Sequence, residues 1–265
     1  MMKILSPGSV LISMVMVIAA AFPAWSEQTR ADRREQARAL TRMGIIRANS
    51  GELNKSVKLF NQSLAVSKDY ARAYLNRGKV FLIKGRLKKA LRDLNKAVKL
   101  DSRSVDAHVA RGMALGRHKD YEAAVKDFAA ALRLDPRNTQ ALFKRAAIFL
   151  SFGRIKQALD DLDRVIRINP RMITAIGNRA YLLEQTGRYT AAIADLKRVL
   201  ALAPRNLNAM KHLGYTYRQK GEPDSALAWY QEALKRESDK AGRKKLNREI
   251  AELKTTSEKK FSKRN

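Results

Sequence analysis

Residues 105–138 read VDAHVARGMALGRHKDYEAAVKDFAAALRLDPRN, and this stretch decides the fold. Its first half carries Val105, Ala107, His108 and Leu115, and its second half Tyr121, Ala124, Val125, Phe128, Ala131 and Leu132. Spacings of three and four put each set on one face of an α-helix. The pattern breaks around His118 and Lys119, where the chain turns, and ends near Pro136, where proline cannot continue a helix. The stretch therefore predicts a helical hairpin with one buried seam. A single hairpin cannot bury that seam alone, so stacking is obligatory and the ends of the stack need polar caps.

The pattern returns every 34 residues. Gly51, Gly85, Gly153, Gly187 and Gly221 share one column with Lys119, and Gly44, Gly78, Gly112 and Gly214 share another with Ala146 and Ala180. Small residues recur again at Ser56, Ala90, Ala124, Ala158, Ala192 and Ala226, and seven residues later at Ser63, Ala97, Ala131, Val165, Val199 and Ala233. Pro136, Pro170 and Pro204 close their units. A unit of this length, with small residues at its eighth and twentieth positions and a proline near its end, resembles the tetratricopeptide repeat (TPR). Six units cover 37–70, 71–104, 105–138, 139–172, 173–206 and 207–238. The first departs most, with Ser56, Ser63 and Arg47, and the sixth places Pro223 just inside its second helix, where a missing N–H costs little. The resemblance implies an all-α protein, a right-handed α-solenoid of about six TPR hairpins. Leu246, Ile250 and Leu253 give residues 239–254 the single apolar face of a capping helix. Residues 27–36 read as a charged N-terminal extension that either extends the first helix or frays, and residues 255–265 as a disordered basic tail.

Composition agrees. The chain of 265 residues is 45% hydrophobic, 7% aromatic and 30% charged, which suits Leu- and Ala-rich helices better than sheets. It has no cysteine, which excludes disulfides, thiolate catalysis, Cys-based zinc sites and lipoprotein anchoring. A formal net charge of +29 self-repels unless something anionic lies nearby, so an acidic partner is expected. Met1-Met2-Lys3, the apolar stretch from Val10 to Phe22, and Ala24-Trp25-Ser26 read as a signal peptide over residues 1–26, cleaved before Glu27. The expected location is periplasmic or secreted. The alternative is an inner-membrane anchor left uncleaved, against which the apolar run is short beside the ~20 residues of a spanning helix.

One pattern belongs to the fold rather than to a ligand. Arg77, Arg111, Arg145 and Arg179 are each followed sixteen residues later by Asp93, Asp127, Asp161 or Asp195. The first and last units lack both members together, carrying Met43 with Leu59 and Leu213 with Trp229. Columns that change in step predict four ion pairs between helices, and Asp127→Ala should lower the melting temperature more than a surface control does.

Catalytic chemistry finds no residue set. His108, His118 and His212 do not converge by spacing, Asp160, Asp161 and Asp163 point different ways on a helix, and phosphate-binding or nucleophile-elbow motifs are absent. No cofactor and no metal is expected. The resemblance instead places the partner-binding groove on the first helices. It assigns there the cations Arg38, Arg42, Arg72, Lys79, Arg117, Lys144, Lys211 and Arg218, against Asp106 and Glu184. Met113, Phe143, Tyr181 and Tyr215 add anchoring contacts, and Asn76, Asn178 and Asn208 could bond a peptide backbone. The carboxylate clamp of chaperone-binding members is broken, because Arg42 and Asn76 are followed by Ala110 in place of a cation. Two readings remain open. One is a scaffold of the cell envelope that takes an acidic, partly hydrophobic peptide or protein segment. The other is a polyanion binder that holds anionic lipid or acidic polysaccharide through its basic surface and tail, including Arg243-Lys244-Lys245 and Lys259-Lys260. Nucleic acid is not expected, and the oligomeric state is not legible.

Overall fold

The computed structural model describes residues 29–262, with side chains described as far as Thr255; the described residues form thirteen α-helices and no strand. The helices fall into two compact units that meet in sequence between Leu134 and Asp135. The first unit holds α1 (29–49), α2 (Leu53–Val66), α3 (Ala71–Ile83), α4 (Leu87–Leu100), α5 (Val105–Arg117) and α6 (Tyr121–Leu134). The second holds α7 (Thr139–Ser151), α8 (Ile155–Ile168), α9 (Ile173–Gln185), α10 (Tyr189–Leu202), α11 (Leu207–Lys220), α12 (Pro223–Arg236) and α13 (Lys240–Ser262). Within each unit every helix packs on its chain neighbours, as α3 does on α4, α4 on α5, α8 on α9 and α12 on α13.

Each hairpin turn is made the same way. The residue in the conserved glycine column takes a left-handed backbone, φ between 66° and 87°, at Gly51, Gly85, Gly153, Gly187 and Gly221. The next N–H then reaches back to close the helix, Arg86 to Phe81 O at 2.8 Å and Glu222 to Tyr217 O at 2.9 Å. Lys119 adopts the same geometry, φ 66°, although it is not glycine, and Asp120 N–H still closes on Leu115 O at 3.0 Å.

The second glycine column serves packing. A Cβ on Gly44 would stand 2.5 Å from the Phe60 ring, on Gly112 2.9 Å from Phe128, and on Gly214 2.5 Å from Tyr230. Sixteen residues after Ala146 and Ala180 the facing residues are Leu162 and Leu196 instead of aromatics. Every aromatic at this offset has glycine opposite it, and alanine occurs in the column only opposite leucine; Gly78 is as tight as the aromatic cases, a Cβ there standing 2.8 Å from Leu94 Cγ.

The Arg–Asp ladder is present in all four middle repeats. Each guanidinium grips its carboxylate through Nε and one terminal nitrogen, at 2.7 and 2.9 Å for Arg77–Asp93 and 2.7 and 2.7 Å for Arg111–Asp127. Arg145–Asp161 closes at 2.8 and 2.8 Å, and Arg179–Asp195 at 2.7 and 2.7 Å. All four aspartates are buried. The other terminal nitrogen of Arg77, Arg111 and Arg179 donates to the preceding hairpin, to Asn61 at 2.6 Å, Asn95 at 3.3 Å and Asp163 at 2.8 Å. One side chain therefore ties two helices of its own hairpin and a third helix beyond it. The first repeat substitutes a buried hydroxyl relay, Thr41 to Ser63 at 2.9 Å and Ser63 to Ala37 O at 2.8 Å.

One end that the sequence left open is helical, and one boundary differs from the expectation. The charged extension is helical from residue 29 and continuous with α1, because no glycine or proline interrupts it and Glu35 pairs with Arg38 at 3.6 Å and Arg42 at 2.7 Å. The capping helix does not stop at 254. It runs to Ser262, because Lys and Glu favour helix and no breaker follows Gly242, and the Thr255 hydroxyl bonds the Ala251 carbonyl at 2.9 Å. The signal-peptide segment, residues 1–26, lies outside the described residues.

Candidate functional site

Most cations assigned to the groove are already engaged. Lys79 pairs with Asp106 at 3.1 Å, and Arg117 donates to Leu82 O at 2.9 Å, satisfying a carbonyl in the last turn of α3. Lys211 pairs with Glu237, and Arg218 forks between Glu249 and Glu252, the latter at 3.2 Å. Asn76 donates to Arg72 O at 2.7 Å within its own helix. Arg72, Lys144 and Asn178 have no ion pair or hydrogen bond of their side chains among the described residues; Arg72 and Asn178 are exposed, as is Lys144, while Phe143 and Met113 are half-buried. Arg38 and Arg42 are exposed beside Glu35. Glu184 does not face the groove as a free acid, because it is buried at 5% exposure. Of the basic run near the C-terminus, Arg243 is structural, donating to Leu234 O at 3.0 Å and Glu237 O at 2.9 Å where α12 ends.

In the second unit the fold brings Tyr181, Lys211 and Tyr215 together, joined by Asn208. They line an open cavity of about 370 Å³ walled by α9, α11 and α13, with Gln185, Tyr230, Lys245 and Leu246 completing it. Tyr181 and Tyr215 are each 42% exposed, and Tyr181 meets the His212 ring edge-on at a centroid distance of 6.4 Å. Glu184 lies at the floor, accepting from the Thr216 hydroxyl and from His212 Nδ1 at 2.8 Å. Burial, with Glu249 nearby, pushes the Tyr230 hydroxyl up to about 12, so it remains a donor at physiological pH. Lys245 has no ion-pair partner among the described residues. The floor is thus internally satisfied, while the rim offers two aromatic faces, two amides and one spare cation.

The contact of Glu184 with His212, the Tyr230 ring and the α13 wall are the part of the site that sequence reasoning missed. Glu184 and His212 are 28 residues apart, neither a helical spacing nor the repeat period. The α13 wall belongs to no repeat and so carries no register.

The hydrogen bond that His212 donates to Glu184 holds its imidazole above the ordinary value of 6.5, more than burial lowers it. A raised folded value means the folded state binds the proton more tightly. The resulting stabilisation is complete below pH 6.5 and is lost as pH rises through the raised value. Melting curves of the second unit's transition across this window should show that loss, and His212→Gln should flatten it. Since the His212 side chain is 43% exposed, the effect is modest. A profile identical in the two proteins would remove His212 as the titrating group.

A fold built only of stacked hairpins offers extended surfaces, and this places the chain among helical-repeat interaction scaffolds. It belongs to the tetratricopeptide-repeat family: models described as Tetratricopeptide repeat match residues 109–173, 146–210 and 183–246, and one described as TPR repeat matches residues 78–119. Among solved structures it is similar to YrrB, described as a TPR protein with an unusual peptide-binding site, at 23% identity and a TM-score of 0.65 over 71% of this chain and 97% of that one. It is also similar to PilF of Pseudomonas aeruginosa, at 18% identity and a TM-score of 0.71 over 82% and 99% of the two chains. MamA matches at 22% identity and a TM-score of 0.60 over 64% and 93%. No curated protein sequence matches. Among the described residues no group of three His, Asp or Glu side chains could hold a metal ion, and no helix is long and apolar enough to cross a membrane.

Proposed function

We propose that the chain is a non-enzymatic scaffold of the cell envelope that captures a peptide or protein segment in the cavity between α9, α11 and α13. The observation that carries this reading is the pair of exposed tyrosines, Tyr181 and Tyr215, over a floor whose polar groups already have partners. Exposed aromatics beside a satisfied floor suit a partner's apolar side chain, which gains contact area without stranding a buried polar group. Asn208 and Gln185 bond its backbone, and Lys245 takes an acidic residue of the same segment. The ligand remains acidic and partly hydrophobic, but Lys211 and Arg218 are held by Glu237 and Glu249, so its acidity is read mainly by Lys245. The leader-like N-terminus supports the envelope location, and YrrB supplies a peptide-binding relative of the same fold.

Selection of displayed random peptides on the full chain tests this. A recovered acidic, aromatic-containing peptide should bind Tyr215→Ala about 30-fold more weakly, the loss expected of a ~2 kcal/mol anchor. Lys245→Ala should weaken acidic peptides alone. Equal binding by the parent chain and Tyr215→Ala would overturn the assignment.

A further inference from the structure

The first unit carries a second surface of different chemistry. Six side chains of α4 are exposed, and five of them are cations: Lys88, Lys89, Arg92, Lys96 and Lys99, the sixth being Asn95. Lys88, Arg92, Lys96 and Lys99, continued by Arg103 just past the helix, follow one another at spacings of four, four, three and four. From Lys88 to Lys99 that spacing makes one stripe of about 16 Å along a single face of α4, with Arg103 beyond its end.

Lys89 lies over the Phe81 ring at 5.9 Å, but the fold makes no such use of the four stripe cations of α4 among the described residues. Among the described residues Lys88, Arg92, Lys96 and Lys99 have no carboxylate partner; the one acid on the helix, Asp93, is buried and held by Arg77. Helix packing does not require them either, because α10, the equivalent helix two hairpins before the cap, exposes Thr190, Ala194, Lys197 and Ala201. Where such cations do serve the fold they are visibly tied down: Arg164 and Arg198, in the column of Lys96, donate to the carbonyls of Pro136 and Pro170. An unpaired row of like charges repels itself, and an anionic counterpart relieves that repulsion.

We infer that the α4 stripe docks the chain on an anionic lipid surface. A straight, exposed row meets a flat layer of headgroups at every cation at once. A nucleic acid or polysaccharide chain is held by walls, stacking aromatics and free amides, and α4 exposes no aromatic, while Asn95 already accepts from Arg111 at 3.3 Å. This surface shares no residue with the peptide cavity, so either assignment can fail alone.

Sedimentation of the full chain with phosphatidylcholine vesicles, with and without roughly one-third phosphatidylglycerol, tests the inference. The chain should bind the anionic vesicles more tightly, and moderate salt should reduce the difference. Charge near an anionic leaflet contributes about fivefold per cation, so Lys88→Gln, Arg92→Gln, Lys96→Gln and Lys99→Gln combined should weaken that preference more than about a hundredfold. A control removes four other exposed cations, Lys156, Arg167, Arg171 and Arg205, as glutamines, and should keep most of it. All eight positions are exposed, so both variants should show the helical circular dichroism of the parent chain. Equal loss in the two variants would reduce the effect to net charge and overturn the stripe. So would equal binding to neutral and anionic vesicles, or alginate bound through the stripe with the vesicles left free.

Discussion

Replacing Asp127 with alanine is expected to lower the melting temperature on the order of 10 °C, several times the effect of Glu122→Ala on the exposed face of the same helix. Asp127 is 4% exposed and accepts from Arg111 at 2.7 Å twice and from His108 Nδ1 at 3.0 Å. Its removal leaves a guanidinium in the seam with no counter-charge, a loss of about 3–5 kcal/mol for one partner of a buried pair. The cost comes from the stranded arginine more than from the lost attraction, and that distinction is testable inside this sequence. The first repeat carries Met43 and Leu59 where the third has Arg111 and Asp127. Arg111→Met combined with Asp127→Leu should therefore recover much of the stability that Asp127→Ala loses. Thermal melts of the three variants decide it; a single mutant no worse than Glu122→Ala would show that water reaches the pair and that the ladder contributes little.

The ladder was legible because it lives at a fixed offset within the repeat. Two columns that change together across six copies reveal a contact without any structure, and the small-residue columns reveal the seam for the same reason. The groove cations were legible as charges but not as free charges. Lys79 meets Asp106 across 27 residues, Lys211 meets Glu237 across 26, and Arg218 meets Glu249 across 31. These offsets depend on how far a long side chain reaches toward the next hairpin or toward α13, and the period of the backbone does not encode them. The cavity was half legible for a related reason. Tyr181 and Tyr215 sit at the same position of adjacent repeats, 34 residues apart, whereas Lys245 and Leu246 come from a helix that repeats nothing. The α4 stripe was in plain view as sequence, yet its meaning required knowing which side chains the fold leaves exposed and unpaired.

A column rule that emerged only from the packing gives the second large effect. Gly44→Ala is expected to destabilise the first unit by roughly 1–3 kcal/mol, against the gain of nearly 1 kcal/mol that alanine ordinarily brings to a helix interior. The added methyl would stand 2.5, 2.8 and 3.0 Å from three atoms of the Phe60 ring. Phe60 has no exposed surface, so the ring has nowhere to move except into its own neighbours. Ala146 and Ala180 stand sixteen residues before Leu162 and Leu196, so the column admits alanine only where that offset holds leucine, although Gly78 is kept before Leu94. Phe60→Leu alone should cost stability by leaving a cavity, yet Gly44→Ala with Phe60→Leu should cost less than the sum of the two, because the new methyl fills the space the ring vacates. Denaturant unfolding of the four proteins gives the coupling directly, with a favourable interaction of ~1 kcal/mol or more expected. Strict additivity would mean that glycine stands in this column for a reason other than the ring opposite it.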